Sequence, residues 1–437
     1  MTPPTALLIV QPALPEYRRG FFTTLAERWP GEVVVAHGSG MPGAPANDTG
    51  PGPYRRVEVP WRQTRLGAQM DWPTVRDLAA GAALAIVPGD PHVLLAHRML
   101  AIRRLGGLRP VVAFSQFRGA DARWLPSLIK PWWHRLFDGL ILYTRHEAAH
   151  YLRLGHDAER LTWLDNGLAR QLPPPTAEDL FARQYAGSLV CLGRHVAKNR
   201  FDLAILGFAA YRRAGGWRRL LLIGDGPETP ALRALAQDLG DAVTFAGAIY
   251  DPAELDARLR GSAAAIHPLA MGLSINTAFG YGLPVIACDD PRRHMPEFWV
   301  WQDRYNGLGF PAPCGDEQAA VPGIAAALHQ LDGLSDADYA CLALAAHSVV
   351  APLTTTAMAE RVLGLCRSLL DRSTQARGAP SRSEGAAAER RGADMMGEAH
   401  PPTVSERNRA ATKAAGTGPK GRRGGAPEQK EPSHALS

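Results

Sequence analysis

Arg194 and Lys198 lie four residues apart in Gly193-Arg194-His195-Val196-Ala197-Lys198-Asn199, directly after the apolar run 188–192. Two later segments share this build. The run 220–223 opens into Gly224-Asp225-Gly226-Pro227, and 263–266 opens into a Pro/Gly loop that ends in Gly272-Leu273-Ser274. Glycine lets a backbone approach a ligand closely. The first amides of a helix are unpaired donors with the positive end of the dipole behind them. Amides at 272–274 with two cations beside them suit a diphosphate ester. Singly, each feature has a plain reading: solvated loop charges, a tight turn, a capped crossover helix that binds nothing. In this order and spacing, the ligand-binding reading is the stronger one.

For these loops to meet, the three runs must be parallel strands of one sheet, whose carboxyl-terminal loops converge on one edge. Residues 262–290 supply the pattern. A strand-like run 263–266 is followed by the loop 268–272 and a helix-length segment with Ser274 as candidate N-cap. Gly282 and Pro284 stop that segment, and a second apolar run 285–287 follows. This is strand, loop, helix, strand. Before it, strands at 188–192, 220–223 and 243–245 alternate with helices at 201–213 and 231–239; after it come helices at 323–331 and 356–370. The first half alternates in the same way. Its strands are expected at 6–10, 32–37, 54–59, 93–96, 111–115, 140–143 and 161–164, with a helix at 18–29, a Gly/Pro-rich loop at 38–53 and a turn at Asn166-Gly167.

The expected fold is α/β: two Rossmann-like, doubly wound parallel-sheet domains facing a cleft. The domain boundaries are read as an N-terminal domain 1–172, a hinge 173–187, a second domain 188–350, a C-terminal helix 351–371 and a tail 372–437. Three consecutive prolines, 173–175, mark the hinge. The tail has almost no large apolar residues, cannot bury a core and is expected to be disordered.

At 437 residues the chain is long for one domain. From 371 onward, 12 Lys and Arg stand against 8 Asp and Glu, so the rest carries only +2 of the net +6. A nearly neutral body argues against a nucleic-acid groove. Five cysteines without CxxC spacing read as reduced thiols of a cytoplasmic protein and build no metal site. The N-terminus lacks a basic start, and no apolar stretch reaches the roughly 18 residues of a membrane span. The protein is expected to be soluble or to sit at a membrane surface. Residues 123–137 interleave aromatic and basic side chains. A core-facing helix with snorkelling cations is preferred there over a surface for anionic lipid and a lipid-linked acceptor.

LVCLGRHVAKNRFDLAILGFAAY, LLLIGDGPETPALRALA, VTFAGAI and GLSINTAFGYGLPVI resemble, in order, the donor-binding half of family 4 (group 1) glycosyltransferases of the GT-B fold, over about 188–310. His294-Met295-Pro296-Glu297 with Asn306-Gly307 is similar to the family's stretch after that strand. Pro15-Glu16-Tyr17-Arg18, Thr144 and Asn166-Gly167 resemble its acceptor domain. The resemblance implies a retaining, metal-independent transferase that uses a nucleoside diphosphate sugar and no cofactor. Its acceptor would be a glycan, a lipid-linked or a small molecule, as in polysaccharide biosynthesis. By the same resemblance, Arg194 and Lys198 neutralise the leaving diphosphate. Gly193, Gly224, Asp225, Gly226, Gly272, Leu273, Ser274 and Thr277 bind the donor, and 247–249 lies near the base. The family's two glutamates eight positions apart are not matched. Anchored on Gly282-Leu283-Pro284, the second falls on Thr277, and loop 268–272 contains no acid. Acceptor-side candidates are Arg18, His97, Gln116 and Arg118, each just past an expected strand end. Two alternatives stay open: a non-catalytic nucleotide-sugar binder or scaffold, favoured by the missing acids, and a sugar-nucleotide epimerase, which needs acidic and His groups around the sugar.

Overall fold

A computed structural model describes residues 5–38, 47–64, 67–105, 109–116, 124–168, 170–312 and 317–378. Arg118 and the tail beyond 378 lie outside the described residues. Residues Met1–Ala376 form one compact unit.

That unit contains two parallel sheets. The first is built from β1 (Ala6–Gln11), β2 (Val33–His37), β3 (Arg55–Glu58), then, after an antiparallel hairpin of β4 (Trp61–Thr64) and β5 (Gly67–Met70), from β6 (Ala82–Pro88), β7 (Val111–Ser115), β8 (Gly139–Leu142) and β9 (Leu161–Trp163). The second comprises β10 (Ser188–Leu192), β11 (Leu220–Ile223), β12 (Val243–Gly247), β13 (Ser262–Ile266), β14 (Val285–Cys288) and β15 (Gly307–Phe310). Every residue of β2, β8, β11, β13 and β14 is buried. Parallel strands covered on both faces are therefore near-continuous apolar runs in the sequence.

The spatial orders are β3-β2-β1-β6-β7-β8-β9 and β12-β11-β10-β13-β14-β15. Each order reverses once, between β1 and β6 and between β10 and β13. At such a reversal the loops of neighbouring strands run to opposite faces and leave a crevice beyond the strand ends. Arg194 and Lys198 follow β10 and the Gly272 loop follows β13, so both belong to the second crevice.

Several elements differ from expectation. Residues 93–96 are not a strand: they open the helix Leu94–Arg104, and the strand is β6. A short apolar run fits either period, and Leu95, Ala96, Met99 and Leu100 are the buried positions of a helical face. Segment 173–187 holds a helix, Ala177–Ala186, closed by a Thr176/Asp179 capping box. The helix expected at 231–239 runs Thr229–Leu235 and passes into a 3-10 turn. Helix Asp336–Val350 was not anticipated. The last helix, Thr355–Gly378, returns to the first sheet, where Met358, Val362, Leu365 and Leu369 join the core of Leu7, Ile9, Val112 and Ile141.

Arg218 ties helix Ala177–Ala186 to the second sheet. It is 1% exposed; Nε donates to Asp332 at 2.6 Å, Nη2 to the Gln184 carbonyl at 2.7 Å and Nη1 to the Gly187 carbonyl at 2.9 Å. Removing one partner of a buried pair strands the other charge. Arg218→Ala is expected to destabilise the protein by about 3 kcal/mol or more, read from the midpoint of urea denaturation.

Candidate functional site

The loops after β10, β11 and β12 are locked together by backbone. Gly193 and Gly224 both adopt φ 144°, and a Cβ on Gly224 would stand 1.9 Å from the Gly193 carbonyl. A Cβ on Gly226 would meet the His195 carbonyl at 2.3 Å. The His195 amide donates to the Asp225 carbonyl at 3.0 Å, and that of Gly224 to the Gly247 carbonyl at 2.8 Å. Only glycine permits this approach. The Asp225 carboxylate accepts from the Thr229 hydroxyl and the Gly226 amide at 2.7 Å each. These bonds hold it below the usual carboxylate range, so Asp225 closes its own turn.

The β10 loop also reaches β13: a Cβ on Gly193 would lie 3.8 Å from His267 Nε2. His267 is buried, which depresses its pKa to about 3, helped by the positive potential of His294 and Lys198. Loop 268–272 is strapped down on its far side. The Ala270 amide donates to the Arg293 carbonyl at 2.8 Å and the Met295 amide to the Met271 carbonyl at 3.0 Å. His294 accepts from the Met271 amide through Nδ1 (3.3 Å), donates to the Cys288 carbonyl through Nε2 (3.0 Å) and stacks on Phe298 at 3.7 Å. Burial lowers its pKa to about 4.

The helix after this loop, Ser274–Gly280, is only 7 residues long, too short for its dipole to dominate the site. Its N-cap is Leu273, in helical conformation and without a side-chain cap bond, not Ser274, which is the first helical residue. The Ile275 amide donates to the Gly272 carbonyl, so the amides of Leu273 and Ser274 precede the first helical bond. Thr277 is half-buried on the same helix.

Sequence reasoning gave Glu297 no role. It is 6% exposed, and Oε1 accepts from Asn166 Nδ2, 131 positions away, at 2.7 Å. Oε2 faces the β13 loop: a Cβ on Gly272 would lie 3.6 Å from it. Burial raises its pKa, against the lowering effects of its own amide, Asn166, Arg18 and Lys198. Arg18, 3% exposed at the end of the turn Glu16–Arg18, stands 4.8 Å from the Phe114 ring centre and 5.6 Å from that of Tyr143. A cation from each sheet therefore acts on one carboxylate. No local pattern reveals this, because the partners are distant in sequence.

Gly193, Lys198, Gly272 and Arg18 thus converge. Arg194 and Lys198 are exposed, and neither side chain forms an ion pair or hydrogen bond among the described residues. Gln116 borders a cavity of about 550 Å³ with Tyr17, Arg18, Trp61, Phe114 and Tyr143. A second cavity, about 690 Å³, is lined by Lys198, Arg200, Arg292 and Arg293 with Asp290 and Glu317. His97 does not join them. It sits on a helix rather than past a strand end, bonded to the Pro91 carbonyl at 2.8 Å and with its ring centre 4.4 Å from that of Trp133, tilted by 39°.

Residues 186–330 match the family model of glycosyl transferases group 1. The whole two-sheet architecture has counterparts among solved structures. It is similar to the apo form of the lipopolysaccharide outer core galactosyltransferase WaaB (12% identity, TM-score 0.56, 83% of this chain and 99% of that one). It is also similar to a glycosyltransferase from Rickettsia africae ESF-5 (12%, TM-score 0.55, 84% and 98%). A third counterpart is WaaG, a glycosyltransferase involved in lipopolysaccharide biosynthesis (16%, TM-score 0.50, 82% and 98%). At these identities the likeness is one of fold, GT-B. No curated protein sequence matches the chain. Together, the domain match and the fold support a role in glycosyl transfer.

His267 and His294 are neutral in the folded state, while an unfolded histidine titrates near 6.5. Below that pH the unfolded chain binds more protons, so stability is full above about 6.5 and declines as pH falls toward 4. Thermal unfolding followed from pH 7.5 to 4.5 should show this slope, and His267→Gln should flatten it.

Proposed function

We propose that the protein is a retaining, metal-independent family 4 glycosyltransferase that moves a sugar from a nucleoside diphosphate sugar to a glycan, lipid-linked or small-molecule acceptor. Residues 188–350 act as the donor domain, 1–172 as the acceptor domain and 173–187 as the connection between them. The observation that carries this reading is the meeting of the β10, β11 and β13 loops beside Arg194 and Lys198, two cations without an ion pair or side-chain hydrogen bond among the described residues.

Cleavage of the anomeric C–O bond builds positive charge on the sugar and negative charge on the departing diphosphate. Lys198 and Arg194, with the amides of Leu273 and Ser274, stabilise the latter as it grows, and so favour the transition state over the bound substrate. The acceptor hydroxyl approaches through the aromatic-walled cavity beside Arg18. Its proton passes to the leaving phosphate oxygen on the same face of the sugar, so configuration is retained.

A second reading, a binder without catalysis, draws on the absence of any acid in loop 268–272. Thermal-shift measurements with UDP, GDP and ADP test for binding, and acceptor-dependent release of the nucleoside diphosphate separates transferase from binder. Lys198→Ala should lower turnover by about 100-fold or more with an unchanged melting temperature. Unaltered turnover would remove Lys198 from the reaction.

A further inference from the structure

Three deeply buried side chains around Glu297 carry polar atoms without a hydrogen-bond partner: Arg18 Nη1, Asn166 Oδ1 and Asn276 Oδ1. The residues are 3%, 3% and 2% exposed. They belong to one network. Asn276 Nδ2 donates to the Asn166 carbonyl at 2.6 Å, Asn166 Nδ2 donates to Glu297 Oε1 at 2.7 Å, and Arg18 acts on Glu297 through its charge. Glu297 Oε2 points toward Gly272. Each unmet buried group is destabilising, so folding stability alone does not account for the set.

The chemistry of the unmet atoms restricts the ligand. The two amide oxygens require donors, while the guanidinium N–H requires an acceptor. An apolar group satisfies none of them. A phosphate satisfies Arg18 but faces Glu297 and two amide oxygens. Hydroxyl groups both donate and accept, so a polyhydroxylated ring satisfies all three and can also donate to the Glu297 carboxylate. Resting on the donor site proposed above, we propose that Glu297, with Asn166, Asn276 and Arg18, grips the hydroxyls of the sugar being transferred. Glu297 comes from the turn after β14 and reaches the Gly272 loop from outside, supplying the carboxylate that loop 268–272 lacks. Lys198 lies between the two duties, beside the diphosphate and within electrostatic reach of Glu297.

The test compares each free nucleotide with its sugar ester by titration calorimetry on the full chain: UDP with UDP-glucose and UDP-galactose, GDP with GDP-mannose, ADP with ADP-glucose. In Glu297→Gln, which keeps size and can still meet Asn166, the dissociation constant of the preferred sugar ester should rise about 10-fold or more relative to that of its free nucleotide. Removing a negative charge near the diphosphate shifts both ligands alike, so the ratio is the readout. Asn276→Ala should shift the same ratio in the same direction and serves if Glu297→Gln does not fold. A ratio unchanged in a folded variant overturns the role of Glu297 and leaves the donor site standing. Failure of the wild type to bind any free nucleotide overturns the donor site, and this inference with it.

Discussion

The hydrogen bond from Asn166 to Glu297 joins the end of the first sheet to the turn after β14, and the rest of the site is arranged around its cost. A carboxylate withdrawn from water is expensive unless it is paired and bonded. Here the compensation comes from both sides: Arg18 from the first sheet, Lys198 from the second and the amide of Asn166 between them. Asn166 is itself fixed. It follows Asp165, a buried residue in the left-handed region at φ 50°, whose carboxylate accepts from the Arg145 amide at 2.8 Å and from Arg145 Nε at 2.7 Å. The chain thus leaves the first sheet through a constrained turn that aims one side chain at Glu297.

Sheet topology explains why loops so distant in sequence are available for this. A parallel order that reverses between β10 and β13 places the loops after those strands side by side, with helices departing to opposite faces. The close backbone contact at Gly193 and Gly224 then fixes the β11 loop against the β10 loop. Loop 268–272 is set by a different device, bonds from the 290–295 segment behind it. The result is a rim held by backbone bonds, from which the exposed side chains of Arg194 and Lys198 extend without an ion pair or hydrogen bond among the described residues.

What the sequence revealed follows the range of the interactions. The strand-to-glycine loops at 193, 224 and 272 were legible because an apolar run and the turn residue that ends it are local features. The buried strands read clearly for the same reason. Residues 93–96 misled because four apolar residues carry no period, and His97 was misplaced along with them. The capped helix Ala177–Ala186 was hidden behind the prolines that precede it. Glu297 and the seating of the last helix on the first sheet depend on pairings across more than a hundred residues, and no window along the chain contains them.

The ionisation pattern constrains any chemistry performed in the crevice. On the wall from the first sheet, burial raises Tyr143 to about 12, so its phenol stays neutral, while Arg18 keeps its charge because the nearby phenols and Glu297 outweigh its desolvation. On the wall from the second sheet, burial keeps His267 and His294 neutral, and His294 spends both ring nitrogens on backbone groups. That leaves fixed positive charge on both walls and Glu297 as the carboxylate between them. Such a site is better suited to stabilising an anion as it departs than to removing a proton from a neutral nucleophile. If a sugar is transferred here, the departing phosphate is the base best placed to receive the acceptor's proton, and the protein's contribution is to hold the reacting groups still and keep the charge of the leaving group low.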